Sequence, residues 1–228
     1  MDRTTPPVKA KRSYDSSARR ERARQVRENI VDAAWKLFLN AGYAGTTINA
    51  IASDAGVSAE TIYKVFGSKP GLVRAIRDKA LAGRGPIGAE ERSDEMRKRV
   101  ADPQIVIRNW GTLTTEVAPL VAPILLLVRE AAATDPELVI LRREMEADRH
   151  ARMTHNARFL HNRRFLRPGL TIKQAADVLW LYSSPELYEQ LVLQCGWELD
   201  AYGRFVGDGI AASLLPRGFD VSPRTHDE

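Results

Sequence analysis

The chain has 228 residues, 44% of them hydrophobic and 28% charged, which predicts a folded globular protein of one large or two small domains. Its single cysteine, Cys195, excludes an intramolecular disulfide and a cysteine-based zinc cluster and favours a reducing cytosol. The net charge of +5 is concentrated in residues 1–80, which hold 15 basic and 8 acidic side chains, and this asymmetry indicates a polyanionic partner, most simply nucleic acid.

The amino-terminal segment, residues 1–21, carries prolines, serines and alternating charges without apolar periodicity, and we expect a mobile basic arm. Its basic side chains would track phosphates or enter a minor groove, or else form an ordinary solvated charge run. Apolar residues then recur every three or four positions up to Ala41, which predicts a helix over about 22–41 that ends at Gly42.

Short helices are predicted next, because capping side chains precede three apolar-periodic segments. The caps are Thr47, Ser58 and Ser68, and the helices lie near 48–55, 59–66 and 69–82. Further along, capping side chains followed by proline mark more helix starts. The predicted helices of this part lie near 103–117, 120–134, 136–165, 171–183, 185–194 and 199–215. No stretch alternates with a period of two, so the predicted fold class is all-α.

The segment from Ile48 to Val65 has the spacing of a helix-turn-helix, with apolar residues where two helices crossing near a right angle must touch. Ala52 is small at the predicted crossing point, and Gly56 suits a turn that needs positive φ. An ordinary helical hairpin is the alternative interpretation.

The sequence TTINAIASDAGVSAETIYKVFGSKPGL resembles the TetR-type transcriptional regulators, whose fixed positions it matches almost throughout. The resemblance extends over residues 22–81, and the segment AADVLWLYSSPELYEQLVLQCGW is similar to the carboxy-terminal helices of many members. One departure is Val65, where many members carry His. The expected domains are an arm at 1–21, a helix-turn-helix domain at 22–68, a connecting helix at 69–82, an effector-binding and dimerisation domain at 83–216 and a tail at 217–228.

The resemblance implies that the helix at 59–66 lies in the major groove of DNA. The expected base-reading residues are Asn49, Ala59, Glu60, Tyr63 and Lys64. Glu60 has an equally simple alternative, since an acid in the first turn is favoured by the helix dipole. The expected phosphate contacts are Thr47, Ser58, Thr61 and Lys69, because hydroxyls, lysine and helix amino termini hold the backbone without reading sequence.

A homodimer is expected, because one half-site gives too little specificity. Small residues spaced four apart on the last helix suggest close helix approach. The predicted interface comprises Trp180, Leu187, Leu191, Tyr202, Gly203, Val206, Gly207, Ile210 and Leu214. The alternative is a packing face within one chain.

The middle helices are expected to enclose a cavity for an unknown small-molecule effector. Its candidate walls are Ile107, Trp110, Thr114, Leu127, Leu141 and Met145, although plain core explains many of them as well. Asp148, Arg152 and Asn156 interrupt an apolar line and either orient a ligand or mark a helix that turns toward solvent. The connecting helix at 69–82 is the expected lever between effector and DNA.

The expected function is therefore a cytoplasmic, ligand-responsive regulator, most simply a repressor, that binds a palindromic double-stranded DNA operator. No cofactor, metal or catalytic residue is expected, since the four histidines lack zinc-ligand spacing and no nucleophile or phosphate-binding motif occurs. A membrane partner is not expected either. The longest apolar run, Val117 to Val128, has 12 residues and contains Pro119 and Pro123, whereas a membrane-spanning helix needs about 20 apolar residues. The alternatives are an architectural DNA-binding protein without effector and a helical enzyme.

Overall fold

The computed structural model describes residues 14–83 and 87–216, and within them the chain forms helices and no strand, so the all-α prediction is confirmed. The helices are α1 Tyr14–Gly45, α2 Ile48–Ala55, α3 Ala59–Phe66, α4 Lys69–Ala82, α5 Ala89–Arg99, α6 Pro103–Ala131, α7 Pro136–Asn162, α8 Ile172–Tyr182, α9 Pro185–Tyr188 and α10 Leu199–Leu214, with a π-helical segment at Glu189–Gln194. The predicted tail at 217–228 and the first thirteen residues of the predicted arm lie outside the described residues.

Helix α1 begins at Tyr14, so the predicted start near Arg22 and the arm prediction for residues 14–21 are wrong. Strong helix formers follow from Ala18 onward, and charge pairs along the helix add support. Arg24 lies 2.5 Å from both Glu21 and Glu28, which are three and four residues away.

Helix α6 is one continuous helix, whereas the sequence predicted two with a break between 117 and 120. Pro119 and Pro123 both lie inside it. An interior proline removes a backbone hydrogen bond and is costly in isolation. Here α6 packs against α1, α4, α5, α7, α9 and α10, and this tertiary packing outweighs the local cost.

The same helix is the one described helix that is long and apolar enough to cross a membrane by length and composition. Its most apolar window has a mean hydropathy of 1.7, and 28% of that window is buried within the chain. Because it contacts six other helices of the chain, it is the central helix of the bundle.

Helix α5 was missed because its sequence, AEERSDEMRKR, has no apolar period. Acids in its first turn and bases in its last turn match the helix dipole, and that signal could have revealed it. Its inward face is mostly polar: Ala89, Ser93 and Arg97, each four residues apart, are buried.

Two hydrophobic cores hold the bundle together. The first joins α1–α4 to the end of α6 and the start of α7, around side chains such as Phe38, Ile62 and Leu141. The second joins the start of α6 to α7–α10, around side chains such as Ile107, Leu160 and Tyr202. Helix α6 contributes to both cores and so connects the two halves of the bundle.

The small-residue face of α10 packs against α6 of the same chain. A Cβ added at Gly203 would lie 2.8 Å from the Gly111 carbonyl oxygen, and one added at Gly111 would lie 2.4 Å from that of Gly203. The neighbouring α10 residues Tyr202, Val206 and Ile210 are at most 4% exposed. The predicted dimer contacts on this face are therefore corrected to intramolecular packing: Tyr202, Gly203, Val206, Gly207, Ile210 and Leu214.

Candidate nucleic-acid interface and internal cavity

Helices α2 and α3 form a helix-turn-helix whose ends are fixed by side-chain caps. The Thr47 hydroxyl accepts a hydrogen bond of 3.1 Å from the Ala50 amide at the start of α2. The Ser58 hydroxyl does the same for the Thr61 amide at 3.2 Å at the start of α3. Both predicted caps are confirmed.

Glycine fixes the geometry at two points of this unit. Gly56 ends α2 with φ 66° and ψ 36°, the left-handed conformation expected for the turn. Gly71 lies in the first turn of α4, where a Cβ would come within 2.0 Å of the Phe66 carbonyl oxygen. The end of α3 therefore rests directly on the backbone of α4.

Ion and cation–π contacts join the helix-turn-helix to α1. Lys36 Nζ lies 3.0 Å from Asp54 Oδ1 of α2, and the Arg27 guanidinium lies 4.7 Å from the centre of the Phe66 ring. Ile62 of α3 is 1% exposed in the core shared with α1. One face of α3 is thereby immobilised and the opposite face is presented to solvent.

The exposed face of α3 carries most of the predicted base-reading side chains. Tyr63 is 53% exposed, and Glu60, Lys64 and Asn49 of α2 are also exposed. Val65, at the position where the sequence departs from the family pattern, is 44% exposed on the same helix. The phenol, ammonium and carboxylate on α3 and the amide at the start of α2 can donate to and accept from base edges.

Three other predicted DNA-contacting residues are partly engaged within the chain. Ala59 is half-buried against the first core. The Thr61 hydroxyl lies 2.9 Å from the Ser58 hydroxyl, as part of the cap. The Lys69 ammonium donates to the Tyr43 carbonyl, 4.0 Å from the centre of the Tyr43 ring, and burial lowers its pKa.

A cavity of about 1030 Å³ lies between α4–α10, within the larger domain. Trp110, Thr114 and Met145 of the predicted walls line it. Ile107, Leu127 and Leu141 do not, and that part of the prediction is corrected, because they pack into the two cores instead. Asp148, Arg152 and Asn156, the polar residues of α7, all line it.

The basic side chains that line the cavity are already paired within the chain. Arg77 lies 2.7 Å from Asp148, and Arg152 lies 2.6 Å from Asp94. Arg149 contacts Glu146 at 2.8 Å and the Trp180 carbonyl at 2.6 Å, and Lys98 lies 2.6 Å from Glu95. Six acids line the cavity against these four bases, so the lining has a negative balance.

Helix α4 belongs to both sites. Its first turn supports α3, and its last turns place Arg77, Asp78 and Leu81 in the cavity wall. Ion pairs from Arg74 to Glu144 and from Arg77 to Asp148 join it to α7. The connecting helix predicted from the sequence is thus in physical contact with both regions.

A patch of exposed apolar side chains lies on the carboxy-terminal helices, away from the α6–α10 contact. Phe205 is 39% exposed, and its ring contacts those of Tyr182 and Trp197 at centroid distances of 6.2 and 5.5 Å. Leu181, Leu193 and Leu199 of the same carboxy-terminal segment are also exposed. The three remaining predicted interface residues, Trp180, Leu187 and Leu191, are partly buried.

Residues 30–76 match the family of bacterial regulatory proteins, tetR family. A stretch of 71 residues is 38% identical to an uncharacterized HTH-type transcriptional regulator, YvkB, of Bacillus subtilis, and covers 31% of this chain and 38% of that relative's length. The match therefore spans well under half of that relative.

Solved structures resemble a larger part of the chain. Native NalD, the secondary repressor of the MexAB-OprM multidrug efflux pump in Pseudomonas aeruginosa, aligns with a TM-score of 0.65 at 19% identity, covering 85% of this chain and 98% of that one. A complex of SmeT with triclosan aligns with a TM-score of 0.64 at 20% identity, covering 89% and 97%. At these identities the likeness establishes the fold.

Proposed function

We propose that this chain, whose amino-terminal helix-turn-helix domain is that of the tetR family of bacterial regulatory proteins, is a homodimeric, ligand-responsive transcriptional repressor. Two copies would bind a palindromic double-stranded operator, and a small-molecule effector in the cavity would release it. Such a protein acts in the cytoplasm, where both DNA and metabolites are present.

The observation that carries this proposal is the fixed and exposed α3. Ser58 caps the start of the helix and Gly67 its end, and Ile62 anchors one face in the core, which leaves Tyr63 and Lys64 exposed on the other. Recognition helices read base edges in this way, with side chains held at a set angle by the rest of the motif. The net positive charge of residues 1–80 would attract the phosphates of DNA.

The dimer would form through the exposed patch around Phe205 and not through the glycine face of α10. Large exposed apolar patches are typical of protein interfaces, and aromatic residues dominate their energies. A Phe205→Glu substitution should convert the dimer into a monomer in sedimentation velocity at micromolar concentration. Leu39→Glu, at the 48% exposed Leu39 of α1, is the matched control and should leave the dimer intact.

The effector would bind in the cavity and act through α4. A ligand shifts the DNA-binding equilibrium only if it prefers the conformer whose recognition helices are wrongly spaced. The ligand-bound state of SmeT with triclosan and the repressor role of NalD support this assignment.

Selection of bound fragments from random duplex DNA tests the proposal. The expected product is a pair of inverted half-sites whose centres lie about 34–36 Å apart, one helical turn. Tyr63→Ala and Lys64→Ala should each weaken binding to that site by about 1–3 kcal/mol, while Lys173→Ala, an exposed lysine on α8, should not. If the protein bound none of the duplexes in dilute buffer, the proposed function would be refuted.

A further inference from the structure

Four polar side chains line the cavity from different helices and are almost completely buried. Ser93 of α5, Asn156 of α7, Tyr188 of α9 and Tyr202 of α10 are 4%, 7%, 6% and 1% exposed. Buried polar groups normally have hydrogen-bond partners, so an unused donor that faces a cavity indicates what the cavity receives.

In the described contacts Asn156 and Ser93 each accept one hydrogen bond, and the donor of each side chain has no partner. Arg97 Nη1 donates to Asn156 Oδ1 at 3.0 Å, and because a guanidinium cannot accept, the amide orientation is fixed with Nδ2 facing away. Trp110 Nε1 donates to Ser93 Oγ at 3.0 Å, and since an indole N–H also cannot accept, the Ser93 hydroxyl hydrogen points elsewhere. Both side chains offer a hydrogen to whatever fills the cavity.

The two tyrosines, on α9 and α10, add hydroxyl donors to the lining. Neither hydroxyl has a hydrogen-bond partner among the residues that the structure describes. Within those residues the only enclosed side-chain polar atoms without a partner are Arg92 Nε and Trp180 Nε1, so the Tyr188 and Tyr202 hydroxyls open into the cavity. Burial raises the pKa of both phenols, that of Tyr202 to about 12, and they remain protonated donors at neutral pH.

The rest of the lining disfavours an anion. The four cationic side chains are engaged by carboxylates of the chain, and the acids outnumber them. A ligand carboxylate would have to displace one of these ion pairs or stay unpaired, and an unpaired buried charge is costly. Between the polar groups the walls are apolar, with Leu113, Val121 and Leu179 among them.

We infer that the cavity binds a largely apolar ligand without negative charge, whose carbonyl or ether oxygens accept hydrogen bonds from donors among Asn156, Ser93, Tyr188 and Tyr202, at most two at each oxygen. This inference rests on the proposed effector-binding function and specifies the chemistry of the effector. It assigns Tyr202 to ligand binding, where the sequence had suggested a dimer contact.

Three probes with one ring skeleton test the inference on the full-length protein by equilibrium dialysis. Benzophenone carries the neutral carbonyl, diphenylmethane lacks it, and 4-benzoylbenzoate adds a carboxylate. Benzophenone should bind about threefold or more tighter than diphenylmethane, the value of one hydrogen bond. It should bind about tenfold or more tighter than the carboxylate, because of the desolvation cost.

Two variants locate the contact without disturbing the packing. Tyr202→Phe removes a hydroxyl that has no partner in the described structure, and Asn156→Asp keeps the oxygen for Arg97 but removes the donor. Each should weaken benzophenone about three- to tenfold and leave diphenylmethane unchanged. Tyr43→Phe, at a buried tyrosine of α1 outside the cavity, is the control and should change neither.

The outcomes separate this inference from the proposed function. The inferred ligand class is overturned if 4-benzoylbenzoate binds as tightly as benzophenone or more tightly. It is also overturned if both variants bind benzophenone like the parent chain, or if none of the three probes binds. Operator binding measured on the same preparations is independent of these results, and its absence would overturn the proposed function instead.

Discussion

The contact between α6 and α10 gives a sharp stability prediction, because two glycines one turn apart on α10 differ in the space beside them. A Cβ at Gly203 would lie 2.4 Å from Thr115 Cγ2 and 2.8 Å from the Gly111 carbonyl oxygen. A Cβ at Gly207 would meet its nearest neighbour, the Ile107 carbonyl oxygen, at 3.6 Å, an ordinary contact. An alanine at Gly203 would therefore be overpacked, whereas an alanine at Gly207 would be accommodated.

The magnitudes follow from two opposing effects. Replacing an interior helical glycine by alanine gains about 0.5–1 kcal/mol of helix stability at either position. Overpacking at Gly203 costs about 1–3 kcal/mol, because the carbonyl of Gly111 is backbone and moves only with α6. Gly203→Ala should thus lower the free energy of unfolding by about 0.5–2 kcal/mol, whereas Gly207→Ala should raise it by about 0.5–1 kcal/mol.

Urea denaturation followed by circular dichroism measures both variants at one protein concentration, since dimerisation makes stability depend on concentration. The midpoint should fall for Gly203→Ala and rise for Gly207→Ala with an unchanged slope. If both variants were as stable as the parent chain but failed to dimerise, the glycine face would lie between two chains, and the intramolecular packing described above would be refuted.

Three further predictions concern DNA binding and acid stability. A chain truncated to begin at Arg22 should bind its operator with a shallower salt dependence, by about 0.9 for each phosphate that the removed segment neutralises; an unchanged slope would exclude that segment from the interface. Gly71→Ala should abolish specific binding in gel shifts, because a Cβ 2.0 Å from the Phe66 carbonyl oxygen displaces the end of α3; retained affinity would refute this support. Burial is the largest single influence on Asp94 and raises its pKa, but the hydrogen bond to Arg152 and the charges of Arg152, Arg97 and His155 together outweigh it, so the net pKa is lowered. The resulting stabilisation is present above about pH 4 and disappears as the pH falls through the lowered value, so Asp94→Asn should flatten acid unfolding in this range, and an unchanged acid profile would contradict the pairing.

The local elements of the DNA-binding domain could be predicted from sequence because their signals are local. A capping side chain, an apolar period and a turn glycine lie within ten residues of one another in α2 and α3, and Thr47, Ser58 and Gly56 act as the sequence suggests. Helix α1 was predicted too short, since charge pairs around Arg24 extend it without any apolar signal.

Long-range packing decided the elements that the sequence predicted wrongly. Pro119 lies in the predicted break between 117 and 120, yet the helix continues through it, and the packing of α6 against six other helices outweighs the local cost. The apolar stripe of α10 has the same appearance whether it faces a second chain or α6, and the sequence left both alternatives open. Ser93 could not be placed in the cavity because α5 itself was missed.

In the proposed function, the coupling between cavity and DNA would be carried by the packed face of α4 more than by the exposed ion pair of Arg74 and Glu144. Effectors typically change DNA affinity through a coupling free energy of about 1–3 kcal/mol. Arg74 and Glu144 are 42% and 50% exposed, and such surface pairs contribute about 0–1 kcal/mol, which is too little alone. Leu72, Val73 and Ile76 are fully buried in the core that also contains Ile62 of α3. A ligand that moves the cavity end of α4 must therefore move α3 or disrupt this core, and moving α3 changes the spacing on which operator recognition depends.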